Sequence, residues 1–210
     1  MIKMNLLENG VDSLKSAYMI MEEIPNLQSG IDHKLKDAVF SLNHGIEILL
    51  KLILKDKNEY LIFSDLDKYM LAKRKMIVEG ETNVFEVNSK LKTVSLIESI
   101  SRIKYLCNLT IEPKLEASIE YLNKIRNEFM HYEIKLEDEE MLKLLDKLRV
   151  GYELSIQFFG LHIEDLEAKI AEARYQVTVD DYMSDMAETY GMMRYEEERE
   201  LRDYEDDEDS

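Results

Sequence analysis

Helix breakers and cross-links are scarce in this chain. Its 210 residues include one cysteine, two prolines, seven glycines and no tryptophan. The lone cysteine, Cys107, excludes an internal disulfide framework and any cysteine-based zinc site. So few prolines and glycines leave little to interrupt helices. Long apolar runs are also missing. The best, residues 46–54, is broken by Glu47 and Lys51, so no membrane span is expected. The opening MIKMNLLENG has no basic region followed by an apolar core, and so gives no secretion signal. These absences set the expectation of a soluble, cytoplasmic protein. Cations are in deficit: 27 Lys and Arg against 44 Asp and Glu give a net charge of −17. That disfavours gripping nucleic acid over the whole surface, because phosphate binding draws on clustered cations. A local basic pocket stays open.

Apolar residues make up 45% of the chain, enough for a core without staples. The acidity is concentrated at one end. Residues 180–210 hold fourteen acids and three bases, a net of −11. The terminal EDDEDS reads as a solvated run, and the plain role of the segment is a solubility tail. Yet Tyr182, Tyr190, Met192, Met193, Tyr195 and Tyr204 supply contact groups that such a tail does not need. The sharper role is a decoy for a phosphate backbone or a handle for a basic or regulatory partner.

Apolar residues recur at three- and four-residue steps, the helical period. Helices are expected at about 11–23, 32–55, 96–107, 113–132 and 138–159, with a last one from about 164 running into the tail. The second carries Leu35, Val39, Leu42, Ile46, Leu49, Leu50 and Ile53 on one face. Residues 59–94 are less regular and read as an insert or cap, with VFEVN and KTVSL as short extended pieces. The expected class is all-α: an antiparallel bundle of four or five helices over 1–162, and a helical extension with an acidic tail over 163–210.

In the segment 114–132, Leu115, Ile119, Leu122, Ile125 and Phe129 form one stripe. Arg126 falls inside it, where a guanidinium is costly unless paired or facing a cleft. Asn127 and His131 are four apart and so neighbours on another face. On the long helix, Glu47 sits at the edge of the apolar stripe between Phe40 and Leu54, which makes it the expected counter-ion of Arg126.

Arg126-Asn127-Glu128-Phe129-Met130-His131 resembles the Arg-Asn-x3-His form of the Arg-x4–6-His motif of HEPN domains, and Glu47-Ile48-Leu49-Leu50-Lys51 resembles their Glu-x3-Lys element. The resemblance covers about residues 11–160. It implies a helical bundle whose members include metal-independent endoribonucleases. Carried over by position, Arg126, Asn127 and His131 are the catalytic set, with Glu47, Lys51 and Tyr132 in support. It further implies an RNA substrate, a homodimer with two motifs lining one cleft, no metal and no cofactor. Toxin and phage-defence effectors are the roles that go with it. Two departures stand out. Leu52 follows Lys51 where some members have a base, and Tyr132 directly follows His131 where toxin-type members place a tyrosine two residues on. The second speaks against modification of that tyrosine by a nucleotidyltransferase partner. Family members without activity act as binding modules that dock a partner protein, such as a nucleotidyltransferase antitoxin, and that alternative stays open. So does the plainest one, an Arg126 salt bridge and a surface His131.

The residue types suit the chemistry. Histidine can take or give a proton near neutrality. Arginine's planar fork holds two phosphate oxygens and keeps its charge. Lys68, Lys73, Arg74 and Lys75, with Lys90, Lys92, Arg102 and Lys104, are the candidate basic patches or ordinary solvated faces. Competing sites are thin. No phosphate-binding glycine loop or G-x-S-x-G is present. The histidines are His33, His44, His131 and His162. His44 and Glu47 share a face, but no second such pair exists to complete a di-metal site. Cys107 reads as core.

Overall fold

The computed structural model describes residues 4–176 and 178–208, with the side chains of 185 and 196–208 outside that description. The described residues are all-α, with no strand among them. The helices are α1 (Leu6–Glu23), α2 (Ile31–Lys57), α3 (Leu66–Glu79), α4 (Val84–Val87), α5 (Leu96–Tyr105), α6 (Pro113–His131), α7 (Asp138–Gly160), α8 (Leu166–Glu172) and α9 (Val179–Glu208). The chain forms two compact units, Met1–Arg174 and Tyr175–Ser210.

α2 is the centre of the first unit, because its stripe is fully used. All seven apolar positions expected on its buried face are buried. α1, α5, α6 and α7 pack around it. α1 lies closest. A methyl group added at Gly45 would meet the Leu14 side chain at 2.9 Å and its backbone nitrogen at 3.1 Å, so only glycine fits there. Phe129 meets Phe40 with ring centroids 6.5 Å apart, and Leu122 and Leu42 both lie against Gly151. These contacts run α6 antiparallel to α2 and anchor its C-terminal turn.

Several expectations change. α1 begins at Leu6 rather than residue 11, because Asn5 and Glu8 close a capping box there. VFEVN is not extended: Asn83 and Glu86 form another capping box and wind Val84–Val87 into one helical turn. KTVSL contributes only an isolated antiparallel bridge, Phe63 to Thr93. The insert is largely ordered. Arg102 on α5 clasps it by donating to the carbonyls of Leu61 and Phe63 at 2.7 and 2.8 Å. The segment after 162 is not one extension. Ile163, Leu166 and Ile170 are buried in the core, and Arg174 binds Asp12 at 3.0 Å, so residues 163–174 belong to the bundle.

The second unit is built on α9. Thr178 and Asp181 cap its start reciprocally, Asp181 accepting from the Thr178 N–H and hydroxyl and Thr178 accepting from the Asp181 N–H. These bonds hold the Asp181 carboxyl below its ordinary range. Tyr182, Met183, Tyr190, Met192, Met193 and Tyr195 are all exposed. The side chain of Tyr204 and the run EDDEDS lie outside the described side chains.

Candidate functional site

α6 starts at Pro113, whose missing N–H costs nothing in the first turn, and buries Leu115, Ser118, Ile119, Leu122 and Ile125. That fixes the rotation of the helix. The other face carries Asn123, Asn127 and His131 at four-residue steps. They line a surface groove of about 530 Å³ with Ile97 of α5, Glu120, Lys124, Glu128 and Tyr132. His131 is the last residue of α6, and the Tyr132 N–H closes the helix on the Glu128 carbonyl at 2.9 Å. Asn127 and His131 are exposed, and Tyr132 is 85% exposed.

Arg126 is half-buried and does not line the groove. Its Nη1 donates to the Asn127 Oδ1 at 3.3 Å, which tethers the guanidinium to the groove edge. So the three residues expected to act together are joined, two in the groove and the third through Asn127.

Glu47 and Lys51 are not joined to them. Lys51 is buried, and its ammonium donates to Glu47 Oε1 at 2.6 Å and to Thr93 Oγ1 at 3.0 Å. The expected Glu47–Arg126 ion pair is therefore not formed. A lysine one turn away on the same helix reaches Glu47 more readily than an arginine on another helix, and Lys51, once buried, needs that carboxylate. Its second bond pins the returning segment of the insert, at Thr93, to α2.

The groove is not cationic. Glu120 and Glu128 stand in its lining, and Lys124 pairs with Glu128 at 3.7 Å. The candidate basic patches are mostly neutralised. Lys68, Lys73, Lys75, Arg102 and Lys104 pair with Asp65, Glu59, Glu79, Glu98 and Glu116 at 2.6–3.7 Å. Arg74, Lys90 and Lys92 have no acidic partner among the described residues. No group of side chains suited to hold a metal ion occurs among the described residues, and His44 instead contacts Asn9 Oδ1 at 3.2 Å. Cys107 is partly buried, and desolvation pushes its thiol up. No helix among the described residues is long and apolar enough to cross a membrane.

Sequence reasoning missed Asn123, Glu120 and Ile97. The four-residue ladder of Asn123, Asn127 and His131 was there to be found; Ile97 comes only from the packing of α5 against α6. No family model matches the chain, and no curated protein or solved structure is significantly similar to it.

Proposed function

We propose that α6 bears the reacting groups of a metal-independent endoribonuclease of HEPN type. The observation that supports it most is the α6 terminus, where an exposed His131 stands beside an Asn127 that holds the Arg126 guanidinium at 3.3 Å. A terminal imidazole and a tethered fork are groups suited to metal-independent phosphodiester cleavage. One imidazole takes the proton of the ribose 2′-hydroxyl, and the 2′-oxygen attacks phosphorus. The bond from phosphorus to the 5′-oxygen breaks, and a protonated imidazole gives that oxygen its proton. Arg126 offsets the charge that builds on the phosphoryl oxygens. The products are a 2′,3′-cyclic phosphate and a 5′-hydroxyl. Each chain supplies one histidine of the motif, so two copies forming a composite cleft provide the acid and the base. A toxin or phage-defence effector is the role in which such cleavage is used.

The test is cleavage of total tRNA and of a structured single-stranded RNA, with EDTA present, beside His131→Ala. Cutting by the wild type alone supports the proposal. Equal cutting by both overturns the assignment of His131.

The acidic lining favours a second reading, a non-catalytic module that docks a partner protein. Glu120, Glu128 and the amides of Asn123 and Asn127 suit a basic helix better than a phosphate. Absence of cleavage by the wild type, with and without the acidic tail, moves the assignment to this reading.

A further inference from the structure

The insert leaves one helix face uncovered. α3 buries only Tyr69 and Ala72. Leu66, Met70, Leu71, Ile77 and Val78 stand out from it, between 49% and 79% exposed. An apolar surface of this extent marks an interaction site in a soluble protein. At about 100° per residue, Tyr69 and Ala72 lie opposite Arg74, and the five exposed apolar residues fall within about 80° on either side of it. Asp67, seven residues earlier, lies on nearly the same line.

These two charges are unlike their neighbours. Lys68, Lys73 and Lys75 each have an acid within 3.7 Å. The Asp67 carboxylate and the Arg74 guanidinium have no hydrogen-bond or ion-pair partner among the described residues. Seven residues is about 10.5 Å of helix rise, too far for them to pair with each other. The face therefore presents one free charge of each sign, along the middle of an apolar stripe.

A second copy satisfies both. A two-fold axis crossing between Met70 and Leu71 is equidistant from Asp67 and Arg74, so each Asp67 meets the Arg74 of the other copy. That is the self-complementarity a two-fold interface requires. A partner of one charge sign would meet one of the two with like charge. We propose that α3 is a homodimer surface: two antiparallel α3 helices packed through Leu66, Met70, Leu71 and Ile77, and registered by reciprocal Asp67–Arg74 pairs. Two helices about 21 Å long give a contact no larger than the small end of specific interfaces, the size class of weak, reversible pairs. The inference stands on α3 alone and does not depend on whether α6 cuts RNA.

Sedimentation equilibrium of the full chain over the micromolar range tests it. The wild type is expected to dimerise. Asp67→Arg and Arg74→Asp each weaken the dimer about tenfold or more, because each sets like charges opposite one another. The double variant regains wild-type association, and an equimolar mixture of the two single variants forms dimers that neither forms alone. Far-UV circular dichroism follows the fold, which two exposed positions leave intact. A wild type that stays monomeric, single reversals with unchanged association, or a double variant and mixture that fail to recover overturn the proposal, whatever the cleavage assay shows.

Discussion

Arg126 and Asn127 illustrate how a half-buried guanidinium is positioned without an ion pair. The Arg126 fork has five donors, and a single 3.3 Å bond to the Asn127 side chain directs it towards the groove. Truncating Asn127 frees the arginine without removing it. Asn127→Ala is expected to slow single-turnover cleavage about tenfold, against a loss of two or more orders of magnitude for Arg126→Ala. Thermal stability should hardly change, because Asn127 is exposed. A variant as inactive as Arg126→Ala shows that Asn127 touches the substrate itself. Lys51 makes the opposite case. Its charge is buried and answered by Glu47 and Thr93. Lys51→Ala strands a carboxylate that is 24% exposed, and should cost about 3 kcal/mol in urea unfolding. Lys51→Met keeps the apolar stem and should cost less. The amount of RNA cleaved per folded molecule should not move in either. The sequence placed Glu47 at the edge of one apolar stripe and Arg126 inside another, but position on a stripe does not choose a partner. Reach along one helix made that choice.

Among the elements, the long helices α2 and α7 were readable from period alone, since each buries one unbroken stripe. The failures fall where capping overrides propensity. Asn5 starts α1 five residues before the apolar period does, and Val84–Val87, read as an extended piece, are wound into a turn by Asn83 and Glu86. Half of the groove followed from the α6 period, and Ile97 came only with tertiary packing. The insert shows how a polar knot holds an element with little core. Tyr69 donates to Glu59 Oε2 at 2.8 Å, and Lys73 binds the same oxygen at 2.6 Å. Burial works against the Glu59 charge, but the bonds from Lys73 and Tyr69 outweigh it and hold the carboxyl below its ordinary value. Burial, and then the bond to Glu59, push the Tyr69 hydroxyl up to about 12. The two shifts act at opposite ends of the pH scale. The lowered carboxyl stabilises the fold above its unfolded value of 4.5, and that contribution is lost as pH falls through the folded value. The raised phenol stabilises the fold below its unfolded value of 10, and that contribution fades as pH rises towards 12. Tyr69→Phe is therefore expected to lower stability at pH 7 and to flatten the alkaline decline between 10 and 12 in urea midpoints. A decline unchanged by the substitution assigns the alkaline loss to other groups.

At the scale of the whole molecule, charge and architecture separate. The bundle closes at Arg174, and the acidic excess lies beyond it. Removing residues 175–210 takes the formal charge from −17 to −6 without touching a buried side chain of the first unit. The melting temperature of the truncated chain should therefore match that of the full chain. Its encounter with RNA should not. Long-range repulsion slows association with a polyanion, and salt screens it over a Debye length of about 10 Å at 0.1 M. If the groove cuts RNA, truncation should raise the second-order cleavage rate several-fold at low ionic strength, and the gain should vanish at high salt. A gain that persists at high salt points instead to a specific contact of the tail with its target surface, because contact shields charges from salt in a way that distance does not. An unchanged rate at every salt concentration makes the tail a passive solubility segment.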